Sequence, residues 1–447
     1  MKLWTREDVL KAVRDNDILL IRFLYVDCDG VTRGYTCHRD QLDGDMSSGH
    51  AFAACMPFFS SLDTLVSGTR FGCVGEIRAV PDPATFHVLP YARRQAAMIC
   101  DFVDTRHQPV GVCPRTTLKE VLAGCEYEVR ASFENEFYYM LRTDTGYEPF
   151  DRSVCFATSG MKTTENVVLD TVEALSAQGL VVEKYYPEYG PGQQEVIIKY
   201  DSGLRAADNQ VIFKETVRGV AADHGIVASF MPKPFAGLAG SGSHLHVSLW
   251  KDGRNLFHDP ADPVGISPLA RSFIAGVLHH LPALLPFTAA CVTSYKRIVP
   301  HNWASAYACY GPDNREAAVR VVSGQKGREA ETTNLEFKPV DGSANPYLAL
   351  AVVLAAGLDG ITRDLDPGEP TMQDPHDLSP EERARRGIRR LPQHLGEAVA
   401  ELERDDLLRR VLGPVMYEEY VLLKRFQWEE YLKQVTEWEV RHFAELF

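Results

Sequence analysis

Residues 132–137 read Ser-Phe-Glu-Asn-Glu-Phe, and their alternation is the signal from which the fold is read. A β-strand sends successive side chains to opposite faces. Glu134 and Glu136 therefore point one way, while Phe133, Phe137 and Tyr139 point the other. Two carboxylates on one face repel unless something positive lies between them. Taken alone, the stretch fits a solvent-facing edge strand better than a site.

Residues 243–249, Ser-His-Leu-His-Val-Ser-Leu, repeat the pattern with other chemistry. His244, His246 and Ser248 share one face; Leu245, Val247 and Leu249 share the other. The glycines at 237, 240 and 242 precede this strand and let backbone N–H groups approach a ligand. Outward from these two strands lie Glu188 and Glu195, at the ends of the loop Glu-Tyr-Gly-Pro-Gly-Gln-Gln-Glu. Beyond them comes Leu335-Glu336-Phe337-Lys338, with an acid and a base on one face. Five glutamates and a histidine make a donor set for hard divalent ions such as Mg²⁺ or Mn²⁺, and nothing in it favours structural zinc. Arg297, Arg315 and Arg320 add forked donors suited to carboxylate and phosphate oxygens, although each alone fits a surface ion pair. No P-loop or Gly-x-Gly-x-x-Gly pattern occurs, so a bound nucleotide must rest on metals and arginines.

The rest of the chain frames these segments. Residues 18–26, the turn 27–30 and residues 31–36 predict a hairpin, and residues 98–103 a further strand. The first hundred residues thus read as short strands and turns, forming a small β domain over 1–105. Residues 106–447 form a larger α+β domain with a helical C-terminal segment. Helices are expected at 117–123, at 165–178 closed by Gly179, at 269–281, at 349–358 and beyond 395. Strands are expected at 126–141, 195–200 and 244–250. The net charge of −14, from 47 basic and 61 acidic residues, argues against nucleic acid as a partner. The one basic cluster, 383–390, fits a solvated loop or subunit contact. No apolar run is long enough to span a bilayer, and residues 1–17 lack a signal-peptide core. Ten scattered cysteines without a Cys-x-x-Cys pair fit reduced thiols in a cytoplasm.

Together the segments 26–34, 80–91, 133–137, 188–195, 231–249, 294–300, 311–321 and 335–351 resemble the glutamine synthetase family, in the family's order and over nearly the whole chain. The resemblance implies a β-grasp N-terminal domain and a catalytic domain built on a curved antiparallel sheet. It also implies a homo-oligomer, usually a dodecamer of two stacked hexamers, with active sites between subunits. By motif position, Glu136, Glu188 and Glu195 hold one divalent ion and Glu134, His244 and Glu336 a second, with two to three ions per site. His246 and Ser248 fall where the family contacts ATP, Arg315 and Arg320 where it handles the transferring phosphate, and Arg297 where it binds the amino-acid carboxylate. Gly240 and Lys338 belong to the same substrate region.

The departures bear on the substrate. Ammonia-using members carry a flap glutamate where this chain has Trp303, and an N-terminal aspartate where the best match offers Ala53. Losing both anionic groups removes what would concentrate ammonium and accept its proton, while an aromatic face suits a larger amine. Ala239 replaces an asparagine, Lys338 an arginine and Asn334 another arginine of the family pattern. The expectation is an ATP-dependent ligase joining glutamate to an amine other than ammonia through γ-glutamyl phosphate. A true glutamine synthetase is the alternative. A non-catalytic ring-forming relative is disfavoured, because all six metal ligands are present.

Overall fold

Two β-sheets organise residues 4–447, the part of the chain described by the computed structural model; residues 1–3, within the predicted first domain, lie outside it. The first sheet contains β1 (Leu20–Val26), β2 (Thr32–His38), β3 (His50–Ala53), β4 (Glu76–Pro81), β5 (His87–Val88) and β6 (Gln95–Val103). Its order is β2-β1-β6-β4-β3, with β5 on β6. The predicted β1/β2 hairpin is present in antiparallel register. At its turn Gly30 has φ +85°, and a Cβ there would lie 2.3 Å from the Ser343 carbonyl oxygen. Only glycine allows both that conformation and that approach. The turn thus docks the first sheet onto the loop before the helix Pro346–Thr362, where Asn345 Nδ2 donates to the Asp27 carbonyl at 2.8 Å.

Strands and turns alone do not describe this region: helices form at Arg6–Asp15 and Leu42–Ser48. The first begins with a reciprocal Thr5–Asp8 capping box and buries Val9, Ala12 and Val13 against the sheet. Those residues follow helical spacing, which the many charges between them obscured.

The second sheet comprises β7 (Glu128–Thr143), β8 (Gly146–Pro149), β9 (Val182–Pro187), β10 (Gln193–Ile198), β11 (Asp201–Ser202), β12 (Val227–Ser229), β13 (Ser243–Lys251), β14 (Arg254–Asn255), β15 (Tyr307–Pro312), β16 (Ala317–Val322), β17 (Asn334–Phe337) and β18 (Arg389–Arg390). The main path runs β18-β15-β16-β17-β13-β7-β10-β9. All of its pairings are antiparallel except β15 with β16. One face is apolar: Phe133, Leu245, Val247, Val319, Leu335 and Phe337 share a core with the helices Pro268–Thr288 and Pro346–Thr362. The fold is mixed α and β, dominated by a curled antiparallel sheet, as expected.

Two helices depart from the sequence reading. Pro268–Thr288 passes through Pro282 and Pro286 rather than ending at 281, because residues 281–287 are buried and continue its apolar face. Gly203–Asp223, 21 residues long, was not anticipated. It buries Asp208, Asn209, Gln210 and Lys214, and these polar residues break the apolar period that marks a helix.

Candidate active site

The polar face of the second sheet gathers the predicted residues by strand register. In an antiparallel pair, residues directly opposite share a face with Cβ atoms about 5 Å apart. Glu136 on β7 lies opposite Glu195 on β10, and Glu134 lies opposite His244 on β13. His246 lies opposite Glu336 on β17, which in turn lies opposite Arg320 on β16. Five strands thus deliver one patch. The other face of β7 is committed to packing: Phe133, Phe137 and Tyr139 are buried, and Asn135 is tied to Gln210.

Contacts follow from that register. His244 Nδ1 lies 3.1 Å from Glu336 Oε1 and 3.7 Å from Glu134 Oε2, and its Nε2 lies 3.8 Å from Glu136 Oε1. Ligand atoms of Glu134, His244 and Glu336 all fall within 4.8 Å of one another. His246 joins the same cluster, with Nε2 3.3 Å from Glu134 Oε2 and Nδ1 held by Asn334 Oδ1 at 2.8 Å. Lys338 Nζ approaches Glu336 Oε1 at 3.3 Å. Arg320 Nε lies 2.7 Å from Glu336 Oε2, but the pair lacks hydrogen-bond geometry, and among the described residues neither buried atom has a hydrogen-bond partner.

The second predicted ligand group lies toward β10. Glu188 sits on the loop between β9 and β10, where Gly192 adopts φ +78° with no room for a side chain against the Tyr139 carbonyl. Glu195 accepts from the Tyr186 hydroxyl at 2.5 Å. Gln193, passed over in the sequence, organises this side. Its Nε2 donates to Glu136 Oε2 at 3.0 Å, to the Gly240 carbonyl at 3.0 Å and to Ser241 Oγ at 3.2 Å. Its position two residues before Glu195 on a strand, hence on the same face, was the available signal.

The cluster is electrostatically unbalanced. Burial, then the neighbouring Glu134 and Glu136 carboxylates, pushes Glu195 well above the usual carboxylate range; burial and Glu136 raise Glu188. Burial also works to raise Glu134, but its close contacts with His244 and His246 prevail and hold it low. For Glu336 burial is likewise overcome, here by the Lys338 ammonium and His244. Crowded carboxylates of this kind call for additional positive charge. The orphaned Glu336 oxygen and the raised Glu195 are groups that a hard divalent ion would satisfy, and the donor set fits one.

The remaining predicted residues border this patch. Arg297 is 4% exposed and donates from one nitrogen to the carbonyls of Lys338 and Val340, while its Nε has no hydrogen-bond partner. A Cβ at Gly240 would lie 2.4 Å from Arg297 Cγ, so glycine is required for the guanidinium to occupy this position. The Ala239 carbonyl accepts from the Tyr138 hydroxyl. Ser248 is engaged elsewhere, accepting from Trp250 Nε1 at 2.8 Å. Arg315 lies in the turn between β15 and β16, exposed, with its guanidinium 5.6 Å from the Trp303 ring centroid.

Trp303 itself is 63% exposed on a strained flap. His301, Trp303 and Ser305 adopt φ of 60°, 51° and 64°, a left-handed conformation costing roughly 1–2 kcal/mol per non-glycine residue. Three bonds hold it: Trp303 N–H to Glu316 Oε1 at 2.8 Å, Ser305 Oγ to the Ala317 carbonyl at 2.8 Å, and His301 Nδ1 with Asp374 Oδ2 at 3.0 Å.

The family model for the glutamine synthetase catalytic domain matches residues 111–443, and that for the glutamine synthetase N-terminal domain matches residues 6–115. A glutamine synthetase of Halobacterium salinarum is 35% identical over 450 residues, covering 98% of this chain and 96% of that protein. The gamma-glutamylpolyamine synthetase GlnA3 of Streptomyces coelicolor is 36% identical over 408 residues, covering 90% and 87%. Among solved structures, a GmaS/ADP complex aligns with a TM-score of 0.87 at 29% identity, covering 98% of this chain and 99% of that one. The chain belongs to the glutamine synthetase family, whose members are ATP-dependent ligases that use divalent metals.

Proposed function

We propose that the chain joins glutamate, through its γ-carboxylate, to an amine other than ammonia at the expense of ATP, by way of γ-glutamyl phosphate. One observation carries the reading: the flap presents the exposed ring of Trp303 where the resemblance implies a carboxylate in ammonia users. The existence of a relative named gamma-glutamylpolyamine synthetase supports it, and the GmaS/ADP complex supports a nucleotide site in this fold. Names among the relatives favour a second reading, glutamine synthetase proper.

In this proposal Glu136, Glu188 and Glu195 hold one ion and Glu134, His244 and Glu336 another. Bound Mg²⁺ or Mn²⁺ would neutralise charge on the transferring phosphoryl group. Arg320 and Arg315 face phosphate oxygens, His246 and Ser248 the nucleotide, and Arg297, Gly240 and Lys338 the amino acid. Lys338, already beside Glu336, also holds that carboxylate ionised. Trp303 covers the amine and limits water access, which the acyl phosphate requires. The proposed oligomer is a dodecamer of two hexamers. Ala53, exposed at the end of β3, would then face a neighbouring copy's site.

The test is phosphate release with glutamate, ATP and Mg²⁺ across alkyl, hydroxyalkyl and polyamine substrates and ammonia, in the native enzyme and in Trp303→Glu. An organic amine should win in the native enzyme, and the variant should move the ratio toward ammonia at least tenfold. Ammonia preferred by the native enzyme would overturn the reading.

A further inference from the structure

Glu316, a carboxylate for which the sequence reading had no role, is hydrogen-bonded to the backbone of Trp303. Glu316 is 7% exposed. One oxygen accepts from the Trp303 N–H at 2.8 Å; among the described residues its other oxygen, Oε2, has no hydrogen-bond partner. Oε2 is not among the sealed, unpartnered polar atoms, so the flap uses one of the two oxygens and leaves the other open to a ligand.

The position of Glu316 follows from that of β16. Arg320 lies opposite Glu336, and two residues earlier the Ala318 carbonyl accepts from the Lys338 N–H at 3.0 Å. Glu316 itself precedes β16, in the turn that leads into it, where its N–H donates to Asn314 Oδ1 at 3.0 Å. The short strand β16 therefore has Arg320 at the carboxylate patch and, just before its first residue, Glu316 at the flap. The charged groups acting on Glu316 are Asp374, His301 and Lys338, with Arg315 adjacent in sequence.

We infer that Glu316 supplies the anionic end of the amine site: Oε2 binds the incoming ammonium beside Trp303 and takes one of its protons. This rests on the ligase reading above, and it explains how a flap without its own carboxylate still handles a cationic amine. The step balances. The protonated amine gives one proton to Glu316, and its freed lone pair forms the C–N bond to the acyl phosphate carbonyl. The C–O bond to phosphate then breaks, and phosphate departs with the electron pair and the second proton from nitrogen. Glu316 afterwards returns its proton to water. Burial, the largest influence on Glu316, raises it above the usual carboxylate range, which strengthens it as a proton acceptor.

Glu316→Gln tests this, because the amide oxygen still accepts from Trp303 N–H while the charge is lost. The readout compares kcat/KM for the preferred protonated amine, or for ammonia, with that for hydroxylamine, a nucleophile largely neutral at pH 7. Removing a general base typically costs about 10²–10⁴-fold. The amine reaction should therefore fall about 100-fold further than the hydroxylamine reaction, with the gap narrowing as pH approaches the amine's own pKa. Equal losses with both nucleophiles, or no loss with the amine, would overturn the proposal and leave Glu316 as a flap support only. If melting curves show that Glu316→Gln does not fold, Glu316→Asp carries the same comparison, with a smaller gap expected. Should the native enzyme prefer ammonia, the organic-amine reading fails, but the ammonia-to-hydroxylamine comparison still decides the role of Glu316.

Discussion

Arg297 reaches its position only because residue 240 has no side chain. Its guanidinium is buried, with one nitrogen on two carbonyls and Nε unpartnered. A methyl group at 240 would meet both Arg297 Cγ and the Pro232 carbonyl, at 2.4 and 2.8 Å. Gly240→Ala should therefore displace Arg297 and raise KM for glutamate at least tenfold, with a much smaller change in KM for ATP. Steady-state kinetics with each substrate varied checks this. At this scale the site was largely legible, since Glu134, Glu136, His244 and Glu336 share faces that period-2 counting identifies. Gln193 and Glu316 were not legible. Each stood in a segment already noticed for a neighbour, and the role of each depends on a partner far away in sequence: Glu136 for one, the Trp303 backbone for the other.

The element that positions most of the site is β7, 16 residues long, which pairs with both β10 and β13. It stays in register because its second face is pinned by Phe133, Phe137 and the Asn135–Gln210 bond. A one-residue slip would bury the carboxylates and expose the aromatics. Behind the sheet the 268–288 and 346–362 helices cross at glycines. A Cβ on Gly360 would lie 2.1 Å from the Ser272 carbonyl and 2.6 Å from Gly276. Gly360→Ala should lower stability by about 1–3 kcal/mol with little effect on KM in the surviving fold, read from urea unfolding followed by tryptophan fluorescence. Strands with clean alternation were legible from the sequence. The 203–223 helix was not, because its buried polar residues serve tertiary partners: Asp208 pairs with Arg115, Gln210 with Asn135, and Lys214 with the Gly342 carbonyl.

Across the whole molecule, the first sheet is joined to the chain's C-terminal part by buried charge. Lys424 Nζ, on the helical segment after the kink at Gly413, lies 2.6 Å from Asp29 Oδ1 with both side chains fully buried. Gln427 Nε2 donates to the other Asp29 oxygen at 2.6 Å. The first sheet also carries a pH liability at His87 on β5. There burial lowers the imidazole to about 4, from 6.5, despite a 2.8 Å contact to the Thr85 carbonyl. The folded chain keeps His87 neutral, whereas the unfolded chain protonates it below about 6.5. Its contribution is therefore complete above that pH and is lost as pH falls toward 4, an amount on the order of 3 kcal/mol. His87→Gln should flatten the stability profile between pH 6.5 and 4, measured by urea unfolding beside the native protein.

The proposed activity requires a metal-binding carboxylate patch to serve an amine site rebuilt around Trp303. Its most direct test is a competition in one vessel, with glutamate, ATP, Mg²⁺, and ammonium and the best organic amine at equal concentration, the products counted by mass spectrometry. A γ-glutamyl amide of the organic amine outnumbering glutamine at least tenfold is the predicted result. Glutamine as the dominant product would contradict the claim.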